Sequence, residues 1–373
     1  MSHQTGELLS VLHVVPGLMP GGMELTMARV IRGLAGDGLR HSVVCLKGDV
    51  EIADRLPAGT EVHCLHSRPN EVRLPGRLAK LIRRLRPDVV HARNWGAWPD
   101  VSIARLLTLP VVPLVLSFHG LGRAGYEPRR RRWASWFLAR AATHLMTVSN
   151  ESRRMLAERW GWLAERTEVI PNGVDTDLFR PAERFRRGNR LVVGSVGNLR
   201  PVKNHALLVR AAAAVAANGV DIEVRIAGEG DQRASLTQLA RSLGPGDRLK
   251  LPGHIADVPA FLQALDIFVL SSDSEQHPNS LNEAMACGLP CIATRVGAVA
   301  ELLDEGRCGI IIAAGDEPAL VMGLRDLAGD AVRRASLGAA ARQRAYSEYS
   351  LTRMIEAYRQ MYLRLSSRSG SRR

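Results

Sequence analysis

The sequence predicts an α/β chain of two domains, each a parallel sheet joined by crossover helices, with the two sheets facing each other across a cleft. Three observations predict it. At 373 residues the chain has the length of two ordinary domains. Short β-branched runs alternate with amphipathic stretches, the pattern of parallel strands connected through helices. That alternation also starts twice, each time with an apolar strand, a Gly/Pro turn and a long helix. With 46% apolar and 23% charged residues, usage is that of a globular chain, and disorder is expected only at the ends.

In the first half, strands are expected at 8–15, 41–46, 61–65, 89–92, 111–118, 144–148 and 168–170. Between them, 23–35, 74–86, 101–107, 129–141 and 151–159 read as helices. Pro171-Asn172-Gly173 is a turn signal, and 180–189 is polar, basic and poor in apolar residues, so the domains are set at 1–187 and 188–350. The second half restarts with strands at 191–196, 223–227, 249–251, 267–270, 291–293 and 309–312. Residues 351–373 read as a helix to about 365 followed by a frayed Ser/Arg/Gly tail, an element available to pack back on the N-terminal domain. The opening turns are Pro16-Gly17-Leu18-Met19-Pro20-Gly21-Gly22 and Gly197-Asn198-Leu199-Arg200-Pro201-Val202-Lys203. Each follows a strand, where a helix N-terminus offers free N–H groups and the positive end of its dipole to an anion.

The net charge is +13, and it is uneven: residues 1–187 hold 28 basic and 18 acidic side chains, against 22 and 19 in the remainder. Such a field attracts phosphate-rich partners without naming one. Five cysteines (Cys45, Cys64, Cys287, Cys291, Cys308) show no C-x-x-C spacing, so neither a disulfide framework nor a zinc site is expected. The N-terminus lacks the pattern of a secretory signal, and the longest apolar run, 109–118, is broken by Pro110 and Pro113 and is too short to span a bilayer. A soluble, cytoplasmic chain is expected, at most lying on the inner face of a membrane.

The most informative segment follows the strand at 267–270. Ser271 to Ala286 carries two carboxylates, Glu275 and Glu283, around a Pro/Asn turn. Ser280 stands three residues before Glu283, so a capping box is one reading of the second carboxylate. Glu275, at a strand end with no helix to cap, suits the alternative of a fixed acceptor for sugar hydroxyls.

The pair Glu275-x7-Glu283, continued as Glu-Ala-Met-Ala-Cys-Gly-Leu-Pro (283–290), resembles the signature of retaining nucleotide-sugar glycosyltransferases of family 4. Other segments agree in order: Pro20-Gly21-Gly22-Met23-Glu24, His119-Gly120, Val148-Ser149, Ile170-Pro171-Asn172-Gly173-Val174-Asp175, Gly197 to Lys203, and Ala227-Gly228-Glu229-Gly230. Six weak motifs in one order, covering the chain to about residue 350, make the resemblance specific. It implies the GT-B fold, two Rossmann-like domains facing across a cleft.

The resemblance implies a site. Glu283 would take the ribose hydroxyls of the donor nucleotide and Glu275 a hydroxyl of its sugar. Lys203, with Arg200, would neutralise the diphosphate as it leaves, where fixed cations lower the barrier most. Only four lysines occur in the chain, which makes one in this loop conspicuous. Gly22 would let the backbone approach the distal phosphate, with Gly21 making the turn. His119 would meet the donor sugar near its anomeric centre. Gly197, Gly228, Gly230, Asn279 and Ser280 complete the substrate- and nucleotide-binding set. Two departures stand out: Asn198 occupies a position where the family usually has Arg, and Gln276-His277-Pro278-Asn279 replaces a glycine that often follows the first glutamate.

No catalytic metal and no cofactor beyond the donor are expected; Asp175-Thr176-Asp177 fits D-x-D but reads as a turn. The expected acceptor is a glycan or polyisoprenyl-linked glycan in cell-surface polysaccharide or glycolipid synthesis. Arg129–Arg132 with Trp133, Trp136 and Phe137 makes an anionic membrane surface a candidate partner, whereas no nucleic-acid signature is present. Alternative readings are a phosphorylase or nucleotide-sugar epimerase of the same fold, or a basic nucleic-acid or membrane-binding module with a vestigial cleft.

Overall fold

The computed structural model describes residues 8–69, 71–120, 129–182, 190–244 and 248–370. The chain forms two units, Met1–Asn172 with Thr352–Arg373, and Gly173–Leu351. The change expected at 187/188 lies in 183–189, outside the described residues; the chain enters the second unit earlier, after Asn172, and Val174 and Phe179 already sit in that unit's core.

The first unit is a seven-stranded parallel sheet. β1 (Leu9–Val15) lies between β2 (Leu39–Cys45) and β4 (Val89–Arg93), the central strand; β3 (Glu61–Cys64) lies outside β2, and β5 (Leu114–Phe118), β6 (His144–Thr147) and β7 (Thr167–Val169) follow β4. The crossovers are α1 (Gly22–Gly33), α2 (Leu74–Leu85), α3 (Trp98–Leu106), α4 (Arg129–Ala141) and α5 (Asn150–Trp160). Helices on both faces explain why β1 and β4 are buried almost throughout rather than alternating between buried and exposed positions. Strand β5 starts three residues after the expected position 111, because Pro110 and Pro113 bring no N–H to the ladder.

The C-terminal helix α13 (Leu351–Gly370) belongs to this unit. Its Tyr358, Met361, Tyr362 and Leu365 are buried, and Gly33 of α1 lies so close to Ile355 that any side chain there would collide. Fraying expected after 365 does not occur as far as residue 370. Arg364 donates to both carboxylate oxygens of Glu168, at 3.0 and 2.8 Å, and this tie with the buried Leu365 holds the last turns.

The second unit is a six-stranded parallel sheet in the order β10 (Leu249–Gly253), β9 (Ile222–Ala227), β8 (Leu191–Val196), β11 (Ile267–Leu270), β12 (Cys291–Thr294), β13 (Ile310–Ile312), with α7 (Arg233–Ser242), α8 (Val258–Gln263) and α10 (Val299–Leu302) among its connections. One face is covered by α6 (His205–Ala216) and α11 (Glu317–Gly329), which bury Leu207, Leu208, Leu320 and Leu324 against Val193, Ile226 and Val269. The other is covered by α9 (Asn279–Ala286) and α12 (Ala331–Glu348), which bury Leu281, Met285, Ala341 and Ala345 against Phe268, Leu270 and Ala293. In each sheet the strand order reverses once, at β1/β4 and at β8/β11. Such switch points splay the connecting loops apart and leave a crevice at the carboxyl ends of the strands, where ligands bind.

Candidate functional site

The candidate residues of the second unit gather at the β8/β11 switch point. After β8 the chain runs through Gly197, Asn198, Leu199 and Arg200 into a short 3-10 turn, Pro201–Lys203; Asn204 then takes a left-handed conformation and α6 begins. This loop leans on the one after β9. Gly197 N–H donates to the Ala227 carbonyl (2.9 Å), Leu199 N–H to that of Glu229 (2.9 Å), and Gln232 N–H to that of Leu199 (3.0 Å). A Cβ on Gly228, at φ +144°, would run into the Gly197 carbonyl oxygen, and one on Gly230 into that of Leu199. These glycines therefore have a packing duty of their own, and the Gly197 amide is already spent within the fold.

Lys203 and Glu275 meet directly: Nζ donates to Oε1 at 2.5 Å, with the side chains 25% and 12% exposed. Ser272 Oγ donates to the same oxygen (2.8 Å), and Ser271 Oγ to the Lys203 carbonyl (3.0 Å). Asp273 N–H donates to the Val202 carbonyl (2.8 Å), and Asn204 Nδ2 to Asp273 Oδ1 (2.9 Å). The loops after β8 and β11 are thus stapled into one platform. A third loop supports it from β12: Thr294 Oγ1 donates to the Ser272 carbonyl (2.5 Å), Ala298 N–H to the Gln276 carbonyl (2.8 Å), and Gly297, at φ +52°, lies against the Glu275 carbonyl where a Cβ would not fit. Arg200 is exposed and makes no ion pair among the described residues.

The capping box is not formed. Pro278 occupies the N-cap of α9, so Ser280 is the second helical residue and Glu283 the fifth, too far along to reach back. Since no side chain caps α9, its first-turn N–H groups and dipole end remain suited to an anion. Asn279 Oδ1 is buried there without a hydrogen-bond partner among the described residues. Glu283 is a buried carboxylate; burial, with the Glu283 charge behind it, pushes the neighbouring Cys287 thiol up to about 12, which keeps that thiol protonated and inert. His277 is buried edge-on to Tyr349 (5.7 Å), and burial lowers its pKa to about 4, leaving it neutral.

In the first unit, Gly21 is the extended N-cap of α1, without a side-chain cap, and Gly22 is the exposed first helical residue. A Cβ on Gly21 would fall 2.5 Å from Glu24 Oε2. His119 follows β5. Its N–H donates to Asn94 Oδ1 (2.7 Å), and its Nε2 lies 3.0 Å from Ser117 Oγ and 3.2 Å from Arg93 Nη1. Burial, and then the Arg93 charge, hold its pKa well below the ordinary imidazole value, so the ring is neutral. Arg93 and Asn94, at the end of β4, escaped the sequence reading, as did Ser272, Thr294 and Gly297. The usable signal was position: all stand at carboxyl ends of strands beside, or next but one to, a switch point.

Two further segments sort out. Asp175 Oδ1 accepts from the N–H groups of Asp177 (3.1 Å) and Leu178 (3.0 Å), so its carboxylate shapes a turn. On α4, Trp133 and Phe137 are 66% and 62% exposed rather than in the core. Arg131 is not a solvated charge: its guanidinium lies 4.8 Å from the ring centres of both Trp95 and Trp160. Among the described residues no helix is long and apolar enough to cross a membrane.

Comparison with known proteins adds the following. The family described as "Glycosyltransferase Family 4" matches residues 20–178, and that described as "Glycosyl transferases group 1" matches residues 179–344. A D-inositol 3-phosphate glycosyltransferase of Geodermatophilus obscurus is 27% identical over 91% of this chain and 84% of its own length. The UDP-Gal:alpha-D-GlcNAc-diphosphoundecaprenol alpha-1,3-galactosyltransferase of Escherichia coli is 27% identical over 77% and 78%. Among solved structures, Anabaena HepE in complex with UDP and glucose superposes with a TM-score of 0.82 at 22% identity, covering 95% of this chain and 99% of that one. A glycosyltransferase from Rickettsia africae gives 0.81 at 19% identity, covering 96% and 98%.

Proposed function

The chain belongs to glycosyltransferase family 4, and from that premise we propose that it transfers a sugar from a nucleotide-sugar donor to a glycan or lipid-linked acceptor, retaining the anomeric configuration without a metal ion. The observation that carries this reading is the Lys203–Glu275 pair on a stapled platform next to the uncapped start of α9. A cation beside free helix N–H groups suits a diphosphate, and a held carboxylate suits a sugar hydroxyl.

In this reading Glu283 takes the ribose hydroxyls, Glu275 a donor-sugar hydroxyl and His119 another sugar oxygen. Lys203, Arg200, Asn279, Ser280 and the amides of the first turn of α9 and of Gly21–Gly22 receive the phosphates. The bond from the anomeric carbon to the phosphate oxygen breaks, and its electron pair stays with the diphosphate. The acceptor hydroxyl bonds to the same face of that carbon and passes its proton to the departing phosphate oxygen. Lys203 stabilises the charge developing there, in place of a metal.

The test is transfer from UDP-, GDP- and ADP-sugars to lipid-linked glycan acceptors, with the product anomer assigned by proton coupling. Retained configuration and a rate unaffected by EDTA are expected; an inverted product, or activity abolished by EDTA and restored by a divalent ion, contradicts the mechanism. Isomerised sugar without acceptor would favour the epimerase alternative.

The lipid-linked acceptor named for the E. coli relative supports a membrane-facing acceptor here. The exposed rings of Trp133 and Phe137 on an arginine-rich helix suit the headgroup layer of an anionic leaflet. Each ring buried there contributes about 1.5–3 kcal/mol. The Trp133→Ala/Phe137→Ala protein is therefore expected to lose at least about tenfold in affinity for phosphatidylglycerol vesicles at low salt. Equal co-sedimentation of parent and variant removes this surface from the account.

A further inference from the structure

Resting on the assignment of His119 to a donor-sugar oxygen, we infer that Arg93 is a positioning residue that locks the His119 proton on Nδ1, so that this ring gives a hydrogen bond to the substrate rather than accepting one. Arg93 is fully buried at the end of β4. Among the described residues no carboxylate lies within ion-pair distance of it; what surrounds it is imidazole and phenol. Its Nη1 is 3.2 Å from His119 Nε2 and its Nη2 3.5 Å from His13 Nδ1, and the guanidinium carbon lies 5.6 Å from the centre of the Tyr358 ring.

A guanidinium has donors only. Each ring nitrogen it faces must therefore carry a lone pair, which sends the proton to the other nitrogen of that ring. For His119 this leaves Nε2 as acceptor and Nδ1–H as donor. For His13 it leaves Nε2–H, which lies 3.0 Å from His41 Nδ1 and makes that nitrogen the acceptor in turn. One cation thus sets the tautomers of three rings, two on the strands β1 and β2 and one in the loop after β5. The two terminal donors of this series, His119 Nδ1 and His41 Nε2, are both buried without a hydrogen-bond partner among the described residues.

An unmet buried N–H costs about 1–3 kcal/mol. His41 stands third in β2, near the amino end of that strand, whereas His119 stands just past the carboxyl end of β5, on the side where switch-point loops open, with its backbone fixed by Asn94. The His119 donor is therefore the one placed to be satisfied by a ligand, and the class of ligand group is an oxygen with a free lone pair, here a hydroxyl of the donor sugar.

Protonation offers no way out of the lock. The groups facing Arg93 are His13 on β1, His41 on β2, His91 on β4, His119 after β5, Tyr358 and Tyr362 on α13, and Glu24 on α1, whose carboxyl feels the Arg93 charge but is itself raised by burial. Burial first and the Arg93 charge second hold all four imidazoles below their ordinary value. His91 is engaged elsewhere, with Nε2 2.8 Å from Ser117 Oγ and Nδ1 2.8 Å from Tyr362 Oη.

The test uses the full chain labelled with 15N-histidine, with long-range proton–nitrogen correlations assigned by comparison with His119→Gln. The parent is expected to show His119 protonated at Nδ1, without titration between pH 8 and 5.5. In Arg93→Met the proton moves to Nε2, the ring's pKa rises with the charge gone but stays below its ordinary value because the burial remains, and transfer falls about ten- to a hundredfold at pH 7. Transfer recovers in part as the pH drops towards that pKa, because protonation returns a hydrogen to Nδ1. Arg93→Lys, which keeps a charge and a donor, restores the flat pH profile. An Nε2–H tautomer in the parent overturns the inference, as does an Arg93→Met protein with the parent's tautomer and pH profile. If Arg93→Met does not fold, the parent spectrum decides alone; if the chain transfers no sugar, the spectrum still decides, so the two readings fail separately.

Discussion

Replacing Lys203 with alanine lowers the rate of sugar transfer by about a hundred- to a thousandfold, the range for removing one fixed group that stabilises developing charge. Glu275→Ala costs a similar factor, and the double variant loses little more than either alone. The reason is the 2.5 Å pair. Lys203 aims the carboxylate that the proposed function places on a sugar hydroxyl, and Glu275, itself held by Ser272, keeps the ammonium at the head of its loop. Removing one partner releases the other, so the second deletion has little left to remove. Single-turnover rates at saturating donor, with circular dichroism to check folding, measure the three variants. Full activity in Glu275→Ala, or strictly multiplicative losses, sinks the idea that the two work as a unit.

Gly228→Ala is expected to destabilise the chain by about 3 kcal/mol or more. Two backbone effects add. At φ +144° a side chain is strained wherever it points, and this one points at the Gly197 carbonyl oxygen. That oxygen belongs to a loop tied to β9 and its exit loop by the Gly197, Leu199 and Gln232 amides, so relief requires the two loops to part. For a unit the size of Gly173–Leu351 a loss of about 3 kcal/mol corresponds to a fall of roughly 6–12 °C in its melting temperature. Gly329→Ala, where a Cβ meets nothing within 4 Å, is the control and should melt within a degree or two of the parent. A Gly228→Ala protein that melts with the control would show that the contact yields cheaply.

Much of this architecture was legible because parallel strands buried on both faces are continuous apolar runs with sharp ends. The strands at 191–196 and 267–270 coincide with β8 and β11, and the helix at 129–141 with α4. Lys203, Glu275 and Glu283 stood out one by one. Their relation did not: Lys203 and Glu275 are 72 residues apart, and only the placement of β11 beside β8 brings them together.

Local spacing misled at Ser280 and Glu283, since a three-residue interval cannot tell a helix cap from a helix interior when Pro278 takes the cap. Arg93 went unread because a single arginine ending an apolar run looks like a surface charge, and its burial depends on α13 closing over it from the far end of the chain. The Ser/Arg/Gly composition after 365 pointed to fraying, and a tertiary contact, Arg364 on Glu168, overrode it. On α4 the aromatics and the arginines part: Trp133 and Phe137 face outward, whereas Arg131, which the run of four arginines grouped with the charges offered to lipid phosphates, turns in between Trp95 and Trp160.

The central claim is that the loops after β8 and β11, with the start of α9, hold a nucleoside diphosphate. Calorimetric titration of UDP, GDP and ADP into the purified parent and into Lys203→Ala tests it most directly. Saturable one-to-one binding of at least one of them is expected, weakened at least about tenfold in the variant, as follows from losing a charge-assisted contact of about 1.5–3 kcal/mol. Absence of saturable binding for all three, or equal affinity in parent and variant, contradicts it.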